Sequence, residues 1–162
     1  LCDICPLSTE CLAREEGRSD AYPIRMPHAA KKKELLTVAV VTNEQSCVYV
    51  KQRDTRGFLG GLYAFPLFQG DLTPEQTFEL LEKSGFDEIQ FRNPLPSARH
   101  VFTHKVWIMK GYHFTAATKS KEWECVSDFS LTAFPGALRV YRECAEMLLA
   151  EGSNNDREKK LP

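Results

Sequence analysis

Phe102, Thr103 and His104 put an aromatic ring, a hydroxyl and an imidazole side by side, with Arg99 and Lys105 within a few residues. Such a set can meet a nucleobase: a ring to lie against it, polar side chains to address its edge, cations for the phosphates. A plainer reading of the same residues is a hairpin corner with a capping Thr and a half-buried His. A second set is Cys2-x-x-Cys5-Pro6 followed by Cys11. Three thiolates this close can converge on one soft metal centre, whereas tetrahedral zinc and cubane iron–sulfur sites both take four protein ligands. Either a distant Cys completes the site or the chain begins partway through it, and a turn without metal is the alternative. A start at Leu1 and a polar end favour truncation. Lys31-Lys32-Lys33, and Arg53 in a glycine-bearing loop, are further cations. Three consecutive lysines form either a solvated surface or a phosphate track.

The elements that must position these residues follow from periodicity. Ala98, His100 and Phe102, then Val106 and Ile108, alternate with polar residues and stumble at Thr103-His104, as two strands meeting at a corner would. Leu35 to Val41 and Cys47 to Val50 are β-branched runs joined by a polar connection of hairpin length, which predicts an antiparallel pair. Gln52 to Gly61 is a tight loop, and Leu62 to Pro66 a short strand. Thr73-Pro74-Glu75-Gln76 starts a helix with a capping hydroxyl, Pro at the first position and Gln set for a capping box; Gly85 stops it. Strands follow at Glu88 to Arg92, Arg99 to Phe102 and Val106 to Phe114, with a weaker one at Glu122 to Val126. Leu138, Tyr141, Ala145, Leu148 and Leu149 recur at helical spacing and predict a helix from Gly136 to Ala150, with Cys144 and Met147 serving packing. Glu15 to Glu34 reads as a Pro-punctuated linker, and Ser153 to Pro162 as a disordered tail.

Composition narrows the classes. The chain has 162 residues, 43% hydrophobic and 27% charged, as expected of one globular domain with appendages. A formal charge of −1 argues against a self-sufficient nucleic-acid binder, because phosphate neutralisation needs a cationic excess, so local cations must carry any such role. No apolar run approaches the length of a membrane span and no signal peptide opens the chain, so the expectation is a cytoplasmic protein with no membrane partner. The scattered cysteines, Cys47, Cys125 and Cys144, are expected to be core residues.

Taken in order, these pieces resemble one family. Cys2-x-x-Cys5-Pro6-Leu7 with Cys11 is similar to the end of the iron–sulfur loop of endonuclease III-type DNA glycosylases, whose pattern has a further Cys six residues upstream. Tyr22-Pro23, the lysines, Gln52-Arg53-Asp54, Gly57 to Pro66, Phe102-Thr103-His104 with Trp107, and Ala133-Phe134-Pro135 all resemble the carboxy-terminal part of A/G-specific adenine DNA glycosylases of the MutY family. The resemblance covers the chain up to about Gly152, and its strength lies in the order of the motifs. It implies an α+β, Nudix-like fold, a mixed β-sheet flanked by helices and preceded by an extended linker. The implied divisions are 1–14 as the end of the cluster loop, 15–34 as interdomain linker, 35–152 as the Nudix-like domain and 153–162 as tail.

The function implied is base-excision repair. The family's full-length enzyme removes adenine mispaired with 8-oxoguanine, using a catalytic domain absent from this segment, which would then be inactive alone. The implied partners are duplex DNA carrying the 8-oxoguanine:adenine mispair, the missing amino-terminal domain and other repair factors. The implied DNA-facing residues are Phe102, Thr103, His104, Arg99, Lys105, Arg53, Lys31, Lys32 and Lys33, and Cys2, Cys5 and Cys11 would hold three corners of a [4Fe–4S] cluster whose fourth ligand lies upstream. Oxidation turns guanine N7 into a donor and adds an oxygen at C8, so a hydroxyl that both accepts and donates can sense the change. Thr103 stands where the family more often has Ser, and its methyl stiffens χ1. Phe102 is expected to anchor the turn, and His104 either to contact the lesion strand or to brace the turn.

A working Nudix hydrolase is the alternative, with a protein-interaction module as a third. Hydrolysis needs a helix of Arg-Glu then Glu-Glu that gathers Mg²⁺. Here Phe78 replaces the Arg and Lys83 one Glu, while Glu79 and Glu82 fit the wet face of an amphipathic helix.

Overall fold

The computed structural model describes residues 1–24, 30–43, 47–118 and 120–158, with side chains described through 151. It divides into two units, Leu1–Ala30 and Lys31–Pro162. The first is a run of single turns around a short helix, α1 (Leu12–Glu15), with no buried residue in any of its helical turns. Arg14 holds it together locally, donating to the Cys2 carbonyl at 2.8 Å and to Asp3 at 3.1 Å. Part of the expected linker, including Pro27, lies outside the described residues.

The second unit is an α+β fold built on a mixed sheet. Its strands are β1 (Lys32–Thr42), β2 (Val48–Gln52), β3 (Tyr63–Ala64), β4 (Leu67–Gln69), β5 (Phe86–Val101), β6 (Lys105–Thr118) and β7 (Glu124–Val126), and its helices are α2 (Pro74–Lys83) and α3 (Arg139–Glu158). The principal path is β3-β2-β1-β6-β5, with β4 paired to β1 and β7 to β2. β1 is central, and seven consecutive residues from Leu36 to Thr42 are buried. A strand covered on both faces needs no polar alternation.

Several expectations are corrected in detail. β1 and β2 are antiparallel as read, yet among the described residues they share only the Thr42–Val48 pair, and the long partner of β1 is β6, parallel from Lys32–Lys105 to Thr42–Thr115. That pairing draws Lys32 to Glu34, expected in a linker, into the sheet. The separate strands expected at Glu88 and Arg99 are one strand, β5, which has three register shifts, keeps Pro94 in the ladder opposite Tyr112 and leaves Pro96 out of it at the last shift. Helix α3 runs on through Glu158, so the backbone of Ser153–Glu158 is helical where a disordered tail was expected; nothing in that stretch breaks a helix before Pro162. Cys47 is buried but bonded to Cys125, which is exposed, and Met147 is exposed rather than packed.

Two apolar clusters occupy the two faces of the sheet. One gathers Val38, Val40, Val50, Phe65, Trp107, Met109 and, from α3, Leu138, Tyr141 and Ala145; the other gathers Val41, Tyr49, Leu81, Phe86 and Phe114 under α2. α2 begins with the expected reciprocal cap: Thr73 Oγ1 accepts from Gln76 N at 3.3 Å, and Gln76 Oε1 accepts from Thr73 N at 3.0 Å.

His113 on β6 is buried, and a 3.1 Å bond from Asn93 Nδ2 to the Pro94 carbonyl turns Asn93 Oδ1 toward the ring. His113 Nδ1 therefore donates to that oxygen at 3.3 Å, leaving Nε2 to accept from Thr42 Oγ1 at 2.9 Å. Burial, followed by the positive charge of Arg92, lowers its pKa from 6.5 to about 4. Between these values the unfolded chain binds a proton that the folded one refuses, so stability is full above about pH 6.5 and falls as pH drops toward 4. Urea titrations at pH 7 and pH 5 should show wild type losing about 2 kcal/mol more than His113→Gln over that interval. Equal losses in the two proteins would remove His113 from the account.

Candidate nucleic-acid interface

The three-residue connection between β5 and β6 consists of Phe102, Thr103 and His104, closed by a 2.8 Å bond from Phe102 N to the Lys105 carbonyl. The chain 71 residues earlier locks this tip from the side. Lys31 Nζ donates to the Phe102 carbonyl at 2.9 Å, and Lys32 N donates to the His104 carbonyl at 3.2 Å. The backbone is thus held while the Thr103 and His104 side chains stand exposed, making no side-chain hydrogen bond among the described residues. A fixed backbone carrying uncommitted polar groups is an arrangement for contacting something else.

Beneath the tip lies an aromatic box. Phe102 meets Phe58 at 4.9 Å, Trp107 at 5.0 Å and His100 at 4.5 Å between ring centres, all edge-on, and Phe58 meets Trp107 at 5.7 Å. Phe102 is half-buried here. Lys105 Nζ lies 4.3 Å from the Phe58 ring centre, a cation over a π face.

One carboxylate organises the polar side of the box. Glu34 accepts from Trp107 Nε1 at 2.9 Å and from Lys105 Nζ at 3.3 Å, and Lys32 Nζ is 3.6 Å away. The indole bond, then the hydrogen bond and charge of Lys105, hold the Glu34 carboxyl below the usual carboxylate range against the cost of desolvation. Lys32 and Lys105 are therefore partly neutralised in place, which fixes Lys105 against Phe58.

The remaining expected cations are divided by the pleat. Arg99 pairs with Ile108 and Lys33 with Val106, whereas His100 and Glu34 pair with Trp107. Successive residues of a strand face opposite ways. Arg99 and Lys33 thus lie on the sheet face opposite Trp107, and Lys32, Lys105 and His100 on its own face. All of them lie at one end of the sheet, around the tip.

Arg53 belongs to a neighbouring feature, a cleft of about 330 Å³ lined by Lys51, Arg53, Asp54, Arg56, Phe58 and Trp123 among others. The loop that carries it is closed on itself: Arg53 N donates to the Leu62 carbonyl at 2.9 Å, and Gly61 N to the Arg53 carbonyl at 3.2 Å. Gly60 is required there, because a Cβ would sit 2.8 Å from the Asp54 carbonyl oxygen.

Neither metal expectation gains a preformed site. No three His, Cys, Asp or Glu side chains converge on a common point among the described residues. On α2, Phe78 packs against the second cluster, while Glu79, Glu82 and Lys83 are exposed. That helix does not fit a Mg²⁺ site of the hydrolase kind. Cys2 and Cys5 are exposed and Cys11 is half-buried, with Cys5 N donating to the Cys2 carbonyl at 3.3 Å. As a donor set they would number three of the four thiolates a cubane takes.

Sequence reasoning missed Glu34 and Phe58. A lone acid closing a lysine run was the available signal for Glu34, and an aromatic directly after Arg56-Gly57 the signal for Phe58.

Comparison with solved structures places the fold among known ones. The carboxy-terminal domain of mouse MUTYH, in a structure of its complex with human PCNA, is similar with a TM-score of 0.51 at 19% identity, over 68% of this chain and 88% of that one. A MutT protein of the Nudix hydrolase family from methicillin-resistant Staphylococcus aureus 252 gives 0.52 at 13% identity, over 75% and 99% of the two chains. The MutT protein from Methanosarcina mazei gives 0.50 at 12% identity, over 83% and 100%. At these identities the likeness is one of fold. Residues 37–143 match the NUDIX domain family, and with that match covering most of the sheet, all of α2 and the start of α3, the chain belongs to that family.

Proposed function

We propose that this chain is the lesion-reading domain of an adenine DNA glycosylase, with the Phe102–His104 tip addressing an 8-oxoguanine opposite the target adenine. The observation that carries the proposal is the tip itself, a rigidly tethered backbone presenting a free hydroxyl and imidazole above an aromatic box, with lysines at its flank. Thr103 supplies a group able to accept from the N7–H of the lesion. His104, equally exposed, is placed to contact the same strand. Base removal itself belongs to a catalytic domain outside these residues, and Cys2, Cys5 and Cys11 would contribute three thiolates to a [4Fe–4S] cluster completed elsewhere. The cluster's role would be structural, tying this chain to the rest of the enzyme. The named similarity to a MUTYH domain in complex with PCNA supports a repair-factor partner in the same way.

The family and fold are equally compatible with a nucleotide hydrolase, and the residues of α2 favour the first reading. A phenylalanine and a lysine at positions where that chemistry needs a guanidinium and a carboxylate leave Mg²⁺ without its ligand set. Two measurements test the proposal together. Fluorescence anisotropy should find tighter binding to a duplex with 8-oxoguanine:adenine than to one with guanine:adenine, with a salt dependence of only a few phosphates. Incubation with 8-oxo-dGTP and Mg²⁺ should release no product. Turnover of the nucleotide, together with equal binding of the two duplexes, would transfer the chain to the hydrolases.

A further inference from the structure

We infer that the cleft beside the tip is a second nucleic-acid subsite, holding a backbone phosphodiester of the same DNA strand on Arg53 and Arg56 with its sugar against Phe58. The inference rests on the reading of the tip as a DNA-binding element and extends it to a site of different chemistry.

Three features of the cleft carry it. The first is uncommitted positive charge. Lys51 is engaged by Glu122 at 2.7 Å, and Arg14, Arg18, Arg139 and Arg142 all reach carboxylates elsewhere in the molecule. The guanidinium groups of Arg53 and Arg56, in contrast, make no hydrogen bond or ion pair among the described residues, although Arg53 is half-buried. A partly desolvated guanidinium with five unused donors matches a phosphate in shape and charge.

The second feature is preorganisation. Gln52 Nε2 donates to the Gly61 carbonyl at 2.9 Å, and Gly61 N reaches both the Arg53 and Asp54 carbonyls at 3.2 Å, so the loop is closed before any ligand arrives. Asp54 is the one carboxylate lining the cleft among the described residues, too few for a divalent cation and outnumbered by the cations around it.

The third feature is continuity. Phe58 lines the cleft on one side and packs against Phe102 and Lys105 on the other, so tip and cleft share a wall. A strand whose base is addressed at Thr103 can continue over Phe58, 41% exposed, and set its next phosphate among the arginines. A volume of about 330 Å³ admits such a unit.

Free nucleotides carry the same phosphate chemistry, so the experiment has an arm for each source. Binding of this chain to the lesion duplex and to its undamaged counterpart is measured by anisotropy across a salt series of roughly 50 to 200 mM, for wild type, Arg56→Gln and the double variant Arg53→Gln/Arg56→Gln. Each phosphate that the variant no longer neutralises should flatten the plot of log K against log salt by about 0.9. The expected result is a slope lower by about one in the double variant, which loses the shared phosphate, a smaller drop in the single variant, weaker binding to both duplexes alike, and an unchanged ratio between them. Arg56 is exposed, so the single variant keeps the test valid if the double variant melts early.

In the second arm dGMP is titrated by calorimetry. Tight binding of dGMP that vanishes in the double variant, with DNA slopes unchanged, would overturn the inference in favour of a nucleotide pocket. Unchanged slopes without dGMP binding would also overturn it. Wild type that shows no duplex preference at all would instead strike the reading of the tip, and it would do so whatever the arginine variants show.

Discussion

Thr103→Val is expected to remove most of the preference for 8-oxoguanine over guanine opposite adenine while leaving the fold and the salt dependence intact. Valine is nearly isosteric with threonine, so the change deletes a hydroxyl and little else. That hydroxyl makes no side-chain bond among the described residues and is exposed, so the folded state does not miss it. What is lost is one neutral hydrogen bond to the altered purine edge, about 0.5–1.5 kcal/mol, and the preference should fall about two- to tenfold. Thr103→Ser keeps the hydroxyl and frees χ1, and should retain the preference. Competitive anisotropy with the two duplexes checks both variants. A valine variant that still prefers the lesion would move the discrimination to His104 or to the backbone.

Gly111→Ala is expected to destabilise the domain by about 3 kcal/mol, the upper end for forcing a methyl into a packed core. Gly111 sits in β6 with Leu95 as its partner on β5, and the ring of Tyr141 from α3 lies directly across it. A Cβ at this position would meet the Tyr141 ring, 2.9 Å from Cδ1, and the Leu95 side chain at 3.1 Å. Tyr141 is fully buried and cannot swing out to solvent. The absent side chain is therefore what lets α3 close on the sheet. Urea unfolding should show the loss as a lower midpoint with unchanged slope, and Gly111→Ala combined with Tyr141→Leu should recover part of it. A single variant as stable as wild type would mean that α3 has room to move.

The strands and the α2 cap were legible because each is a local signal. Alternation across Ala98–Phe102 and Val106–Ile108 marks two strands, and the stumble at Thr103-His104 marks their corner. Thr73, Pro74 and Gln76 lie within one turn of one another and need nothing distant to act. The long parallel pairing of β1 with β6 was not legible, since periodicity tells which face a residue takes and not which strand lies beside it. The run from Leu35 to Val41, apolar but for Thr37, was the available hint, as a strand covered on both faces is usually central. The continuity of β5 through Pro94 and Pro96 was not legible either, because the register shift that absorbs Pro96 is set by the neighbouring strand. The candidate site divides in the same way. Thr103 and His104 announce themselves in sequence, but Glu34 reaches Trp107 across 73 residues and Phe58 reaches Phe102 from a distant loop, and such meetings exist only once the sheet has formed.

The long parallel register between β1 and β6 has a consequence in time. Joining segments that far apart in sequence requires a large loop to close before any ladder bond repays it, and chains dominated by such pairings fold slowly. The Thr103 corner can form early as a bare hairpin, yet Lys31 and Glu34 must travel from the other end of the domain to clamp it. A nascent or nicked chain would thus carry the corner without its brace, and recognition would switch on only at the final step of assembly.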